Sequence, residues 1–218
     1  DAVPEEVARR AKLLFLNYPN NPTGAVATVE FYQKAVDFAR KHDILIVSDS
    51  AYSEMTYDGY TAPSVFAAEG AREVAVEFWS LSKPFNMTGW RIGFVVGNAA
   101  AISALGIIKT NTDSGQFTAI QEAAIAALTS PEAETFIAEM NQIYRRRRDL
   151  AVAGLRAIGL DAAPMKGSFY LWVPVPAGHT SASFATLLLE QAGVVVTPGS
   201  AYGAYGEGYI RISLCVSE

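Results

Sequence analysis

Short, uniformly apolar runs alternating with helix-like stretches constrain this chain more than anything else in it. Leu13–Leu16, Ile44–Val47, Ala75–Trp79 and Ile92–Val96 are strand-length runs dominated by apolar residues. Such runs suit a parallel sheet covered on both faces, where neither side of a strand meets water. Between the first two, Thr28 is an N-cap candidate for a helix over Val29–Lys41, with Phe31, Ala35, Phe38 and Ala39 as its apolar stripe. This strand–helix–strand order predicts an α/β sheet, in which ligands collect beyond the strand ends.

Further along, helices are expected over Ala99–Lys109 and Gln116–Leu128, separated by the polar break Asn111–Gly115. Pro131 opens a long helix that runs through Arg145–Arg148 to about Ile158 and ends at Gly159. The arginine run reads as a solvated helix face. Beyond it, a strand over Gly167–Val173, a helix over Phe184–Gln191 capped by Ser181 or Ser183, and strands over Val194–Val196 and Tyr209–Leu214 form a small α+β unit. Two domains result, 1–130 and 131–218, linked by the long helix at about 131–158.

Half of the 218 residues are hydrophobic and the formal net charge is −5, which suits a globular chain with a substantial core. A mild acidic excess gives no reason to expect nucleic acid or a membrane as partner. The one cysteine, Cys215, lies in the apolar run Tyr209–Val216 and reads as a buried core residue. With no pairing possible inside the chain, a reducing cytoplasm is the expected location. His42 and His179 have no metal-ligand spacing around them, so no metal site is expected.

Three segments carry chemistry: Asn17-Tyr18-Pro19-Asn20-Asn21-Pro22-Thr23-Gly24, Val47-Ser48-Asp49-Ser50-Ala51-Tyr52, and Ser80-Leu81-Ser82-Lys83 followed by Arg91. A lysine just past a strand end, flanked by hydroxyls and followed by an arginine, can hold an aldehyde and a phosphate together. The amine condenses with the aldehyde, while hydroxyls and guanidinium bind phosphate oxygens. An aspartate ending an earlier strand can keep a ring nitrogen protonated. Those are the parts of a pyridoxal phosphate site.

Together, and with Arg211 in Tyr209-Ile210-Arg211-Ile212-Ser213, the segments resemble the class I/II aminotransferases, the fold-type I pyridoxal phosphate enzymes. The resemblance runs from about Leu13 to Ser217. It implies part of that family's large domain, with a mainly parallel sheet, plus a smaller α+β C-terminal domain. It also implies Lys83 as the lysine joined to the cofactor, which then moves the substrate α-proton. Asp49 pairs with the pyridine nitrogen, and Tyr52 and Asn21 hydrogen-bond the 3′-oxygen. Ser80, Ser82 and Arg91 hold the phosphate, and Arg211, with Asn21 beside it, binds the substrate α-carboxylate. Phe169 and Tyr170 count as packing residues.

The run Ile108–Phe117, continuing through Ala123, and Asn86-Met87-Thr88-Gly89-Trp90-Arg91 look like the LL-diaminopimelate aminotransferase branch, although Pro84 departs from its pattern. That points to transfer of an amino group between LL-diaminopimelate and 2-oxoglutarate. Aspartate or alanine aminotransferase remains open, as does a lyase or synthase of the same fold. The resemblance further implies a homodimer, with Lys109, Asp113 or Ser114 near the partner's site. It also implies that this chain matches the C-terminal part of longer relatives, so that it would be poorly active by itself.

Overall fold

The first crossover sets the plan. After a short helix α1 (Glu5–Arg10), strand β1 (Leu13–Asn17) leads into α2 (Val29–His42) and returns as β2 (Leu45–Asp49), parallel to β1. The structure, a computed structural model, describes residues 3–216. Thr28 caps α2 as expected, its hydroxyl accepting from the Phe31 N–H at 3.2 Å. The buried face of α2 is rotated from the expected stripe: Tyr32, Ala35, Val36 and Ala39 face the sheet, while Phe31 is exposed. Phe31 instead lies edge-on to Tyr18, with ring centroids 5.1 Å apart. Under α2 sit Ile46, Val65 and Ala75. Each large aliphatic side chain fully buried there, such as Ile46, contributes about 1.5–3 kcal/mol by leaving water.

A short α3 (Ala71–Val74) leads into β3 (Ala75–Ser80), parallel to β2, and the sheet ends with β4 (Gly93–Gly97) in the order β1-β2-β3-β4. Here β4 departs from expectation, because it runs antiparallel to β3 and is largely exposed. The cause is the connection. Residues 81–92 hold turns and one 3-10 turn, and a parallel return needs a crossover of a dozen or more residues, usually a helix. Gly93 lets the strands close up, since any Cβ there would run into the Trp79 carbonyl.

Helices α4 (Ala99–Thr112), α5 (Thr118–Thr129) and α6 (Ala133–Ala157) follow, and then a second, antiparallel sheet in the order β5-β7-β6. It comprises β5 (Tyr170–Pro174), β6 (Thr197–Pro198) and β7 (Tyr209–Ser213), with α7 (Ser181–Ala192) between β5 and β6. Thr180 caps α7 in a capping box with Ser183, in place of Ser181 or Ser183 as N-cap. Val194 and Val195 are exposed and β6 lies just beyond them, so the apolar run Val194–Val196 is not itself a strand. Leu171, Val173 and Ile210 face α6 and α7, burying Met140, Val152 and Phe184. Tyr52, Met55 and Tyr57, which follow β2, belong to this second core rather than the first.

Two further expectations fail. Cys215 lies past the end of β7 and is exposed. Arg148 is buried rather than solvated, forking onto Asp58 at 2.7 and 3.1 Å and donating to the Met165 carbonyl at 2.9 Å. Arg145 of the same run does remain on the exposed side. Among the described residues no helix is long and apolar enough to cross a membrane.

Candidate active site

Parallel pairing aligns the ends of the first strands, placing Asn17 opposite Asp49, and Asp49 opposite Phe78 just before Ser80. Everything that leaves those ends enters one region, which is where an α/β sheet builds its site. The Asn17 amide fixes two of the segments. Its Nδ2 donates to the Asp49 carbonyl and its Oδ1 accepts from the Asn21 N–H, both at 3.0 Å. The following turn is closed by Asn20, whose Oδ1 accepts from the Thr23 N–H at 3.1 Å and the Thr23 hydroxyl at 2.7 Å. Gly24 completes it at a φ of 68°.

Asp49 is exposed at the end of β2, and among the described residues its carboxylate accepts one hydrogen bond, from the Ala51 N–H to Oδ1 at 3.1 Å. The remaining lone pairs are free to meet a donor. Tyr52 is buried one turn on, edge-on to Phe169 and Tyr170, with centroids 5.5 and 6.1 Å away. Its phenol is pushed well above the ordinary tyrosine range, first by burial, then by the nearby Tyr170 phenol and the Asp49 charge. It therefore acts as a donor, not a phenolate.

Lys83 follows β3 in a turn. The residue is half-buried, and its ammonium lies 5.5 Å from the Phe169 ring centroid and 5.9 Å from that of Tyr52. Among the described residues it has no hydrogen bond and no ion pair. Ser80 Oγ accepts from the Ser82 N–H at 3.2 Å, and the buried Ser82 offers its carbonyl to the Thr88 hydroxyl at 3.0 Å. Arg91 is exposed, with a φ of 54°, and donates to the Thr88 carbonyl at 3.0 Å. That left-handed backbone is uncommon for arginine. Among the described residues no hydrogen bond joins Arg91 to either serine; Thr88 links Arg91 to Ser82 alone.

Arg211 comes from β7. Alternation with Ile210 turns it off the core, as expected, yet it is not a free surface charge. Nη1 donates to Asn21 Oδ1 at 2.8 Å, and Cζ lies 4.1 Å from the Tyr170 ring centroid. Arginine has no acceptor, so the Asn21 atom facing it must be the oxygen, which leaves Nδ2 as a free donor. Tyr170, expected to be packing alone, thus touches both Tyr52 and Arg211. The structure gathers Lys83, Tyr52, Asn21, Asp49 and Arg211 through Asn17, Phe169 and Tyr170. Those three linking residues carry no sequence signal beyond their place in the motifs.

The donor set fits a pyridoxal phosphate molecule. It offers an unpaired amine, a carboxylate with open lone pairs, a protonated phenol and an amide N–H. Ser80, Ser82 and Arg91 supply hydroxyl and guanidinium donors along the stretch from the end of β3 to the start of β4. A separate cavity of about 510 Å³ borders Glu77, Trp79, Ser80 and Phe94 but neither Lys83 nor Asp49. The buried Glu77 carboxylate there is satisfied by Ser64, the Val65 N–H and Trp79. No group of three or more potential metal ligands occurs among the described residues.

Comparison with known proteins agrees in kind. A family model described as aminotransferase class I and II matches residues 1–218. LL-diaminopimelate aminotransferase from Moorella thermoacetica is 56% identical over 217 residues, covering 100% of this chain and 55% of that protein. LL-diaminopimelate aminotransferase 2 from Trichormus variabilis is 56% identical over 218 residues, with the same coverage. Substrate-bound BacF from Bacillus subtilis superposes with a TM-score of 0.95 at 40% identity, over 100% of this chain and 55% of that one. The chain spans about half the length of the curated relatives it matches.

Proposed function

The chain belongs to the class I and II aminotransferases, and on that premise we propose that it carries the catalytic lysine and substrate anchor of an enzyme moving an amino group from LL-diaminopimelate to 2-oxoglutarate. The single observation behind this reading is the convergence of Lys83, Tyr52 and Arg211 on the aromatic pair Phe169–Tyr170, with Asn21 bonded to Arg211. The donor reading rests on the names of relatives more than half identical to this chain.

Bound pyridoxal phosphate supplies an electrophilic aldehyde and an electron sink for charge left at the substrate α-carbon. Lys83 would be the amine that holds the aldehyde, and its neutral amine would be the base placed to take the substrate α-proton. Asp49 would hold a proton on the ring nitrogen, since a nearby carboxylate favours the charged form. Tyr52 and Asn21 Nδ2 donate to the 3′-oxygen, and burial keeps the Tyr52 proton in place. Ser80, Ser82 and Arg91 bind the phosphate. Arg211 takes the α-carboxylate with a planar fork that lysine does not offer. Residues 1–130 form part of the cofactor-binding domain and 131–218 the small domain, joined by α6. The whole protein works as a cytoplasmic homodimer.

The test is a coupled assay with borohydride trapping. With the whole protein, LL-diaminopimelate and 2-oxoglutarate should yield glutamate, and the reduced cofactor should map to Lys83. Aspartate or alanine as a much better donor would overturn the substrate assignment, and release of ammonia or carbon dioxide would overturn transamination. Light scattering should report a dimer.

A further inference from the structure

Arg211 lies on the face of the second sheet opposite its core. Trp172 on β5 and Thr197 on β6 stand across from it in register, and Tyr170 is its diagonal neighbour. Its polar contacts are few. Nη1 bonds Asn21, Nη2 reaches Thr197 Oγ1 only at 3.4 Å, and the buried Nε has no acceptor. No carboxylate among the described residues pairs with it. Two aromatic rings lie against it instead, Tyr170 at 4.1 Å and Tyr202 at 5.1 Å from Cζ.

We propose that Tyr202 is a positioning residue that, with Tyr170, seats the Arg211 guanidinium and thereby sets the preference for substrates bearing an α-carboxylate. This rests on Arg211 being the carboxylate anchor. The physical point is charge. An ion pair with an internal acid would hold the guanidinium still but cancel much of its attraction for an anion. Ring faces hold it through their quadrupoles and leave the full positive charge available. A fixed plane also avoids ordering a flexible side chain when the carboxylate arrives.

Tyr202 is itself held in place. It ends the 3-10 turn Gly199–Tyr202, in a loop closed where Gly199 meets Gly206 so tightly that any Cβ would strike the opposite carbonyl. Trp172 packs edge-on to Tyr202 at 5.9 Å and stacks on Tyr209 at 5.2 Å. The row Tyr209–Trp172–Tyr202 thus ends on Arg211. Tyr202 is 38% exposed, so shortening it opens no core cavity.

Tyr202→Ala, Tyr202→Phe and Arg211→Ala test this through two readouts. The first is nitrogen NMR of the guanidinium in this chain without cofactor. Seated, Nη1 and Nη2 should give separate signals, kept in Tyr202→Phe and merged in Tyr202→Ala. The second is the kcat/KM ratio of the cofactor-loaded enzyme for LL-diaminopimelate against cadaverine, the diamine lacking both carboxylates. In Tyr202→Ala this ratio should fall about tenfold through the KM of the amino acid, the size of one partly exposed cation–ring contact. Cadaverine turnover should be unchanged. If Tyr202→Ala keeps the separate signals and the ratio while Arg211→Ala loses the ratio, the seat is refuted and the anchor stands. If Arg211→Ala also keeps the ratio, the anchor reading falls, and the seat with it.

Discussion

Three lysines lie near functional segments, and their surroundings separate them. Lys109 is ion-paired with Asp113 at 2.8 Å and Lys166 is exposed, whereas Lys83 lies over two rings and has no ion-pair partner among the described residues. Lys83→Ala should lower turnover by at least about a hundredfold to ten-thousandfold, the scale of a lost acid–base group. Trapped cofactor should vanish from the peptide that carries Lys83, and its persistence on Lys109 or Lys166 would refute the assignment. Asn21→Ala, by contrast, removes the one short hydrogen bond to Arg211 and a 3′-oxygen donor together. It should raise KM for both substrates and weaken cofactor binding, each by about 1 kcal/mol or a fewfold to tenfold. Spectroscopic cofactor titration beside steady-state kinetics checks both halves. Lys83, Asp49, Tyr52 and Arg211 could be singled out in the sequence as candidates because each sits in a short motif, and the structure places those motifs in one region. The Asn21–Arg211 bond could not, because its partners are brought together only by the packing of the second sheet against the loop after β1.

At the scale of elements, the segment after β2 ties the two sheets together. Thr56 bridges Gly167, the Tyr57 N–H donates to the Lys166 carbonyl at 3.0 Å, and Asn141 of α6 donates to the Glu54 carbonyl at 2.7 Å. Arg148 of α6 closes the set on Asp58. Its hydrogen bond holds the Asp58 carboxyl below the usual range, so this contribution is present above the ordinary aspartate pKa and lost as pH falls through the lowered one. Arg148→Ala should cost about 2–3 kcal/mol, less than a fully buried pair because water reaches the Asp58 carboxylate. Arg145→Ala on the exposed side should cost under about 0.5 kcal/mol. Denaturant midpoints of the two variants decide this, and equal effects would show that Arg148 is not the tie. Sequence periodicity could not single out Arg148, since four consecutive arginines occupy every side of a helix and only the fold says which side meets Asp58. The direction of β4 was hidden for a related reason. An apolar run reads the same in either direction, and only the short connection reveals the antiparallel return.

Across the whole molecule, both cores are built around phenols that resist ionisation. Burial pushes Tyr32, in the core under α2, up to about 12. It pushes Tyr52 and Tyr57, in the core of the second sheet, higher still. An unfolded tyrosine ionises near pH 10, so above that pH the unfolded chain sheds protons that the folded chain keeps. The unfolded state then binds fewer protons, and stability must fall as pH rises. Below about pH 10 these groups are neutral in both states and contribute no pH dependence. Because such phenols sit in both cores, and the segment after β2 joins those cores, alkaline unfolding should be one transition that steepens between about pH 10 and 12. Tyr57→Phe separates this from general alkaline damage. Its hydroxyl donates to the Ser168 carbonyl at 2.7 Å, so losing it should cost about 1–2 kcal/mol at neutral pH. The same variant has one phenol fewer to ionise on unfolding, so its stability should fall less steeply above pH 10 and its deficit against the parent should shrink. Urea midpoints measured across that range provide the check, and a deficit that stays constant with pH would show that the buried phenols do not set the alkaline limit.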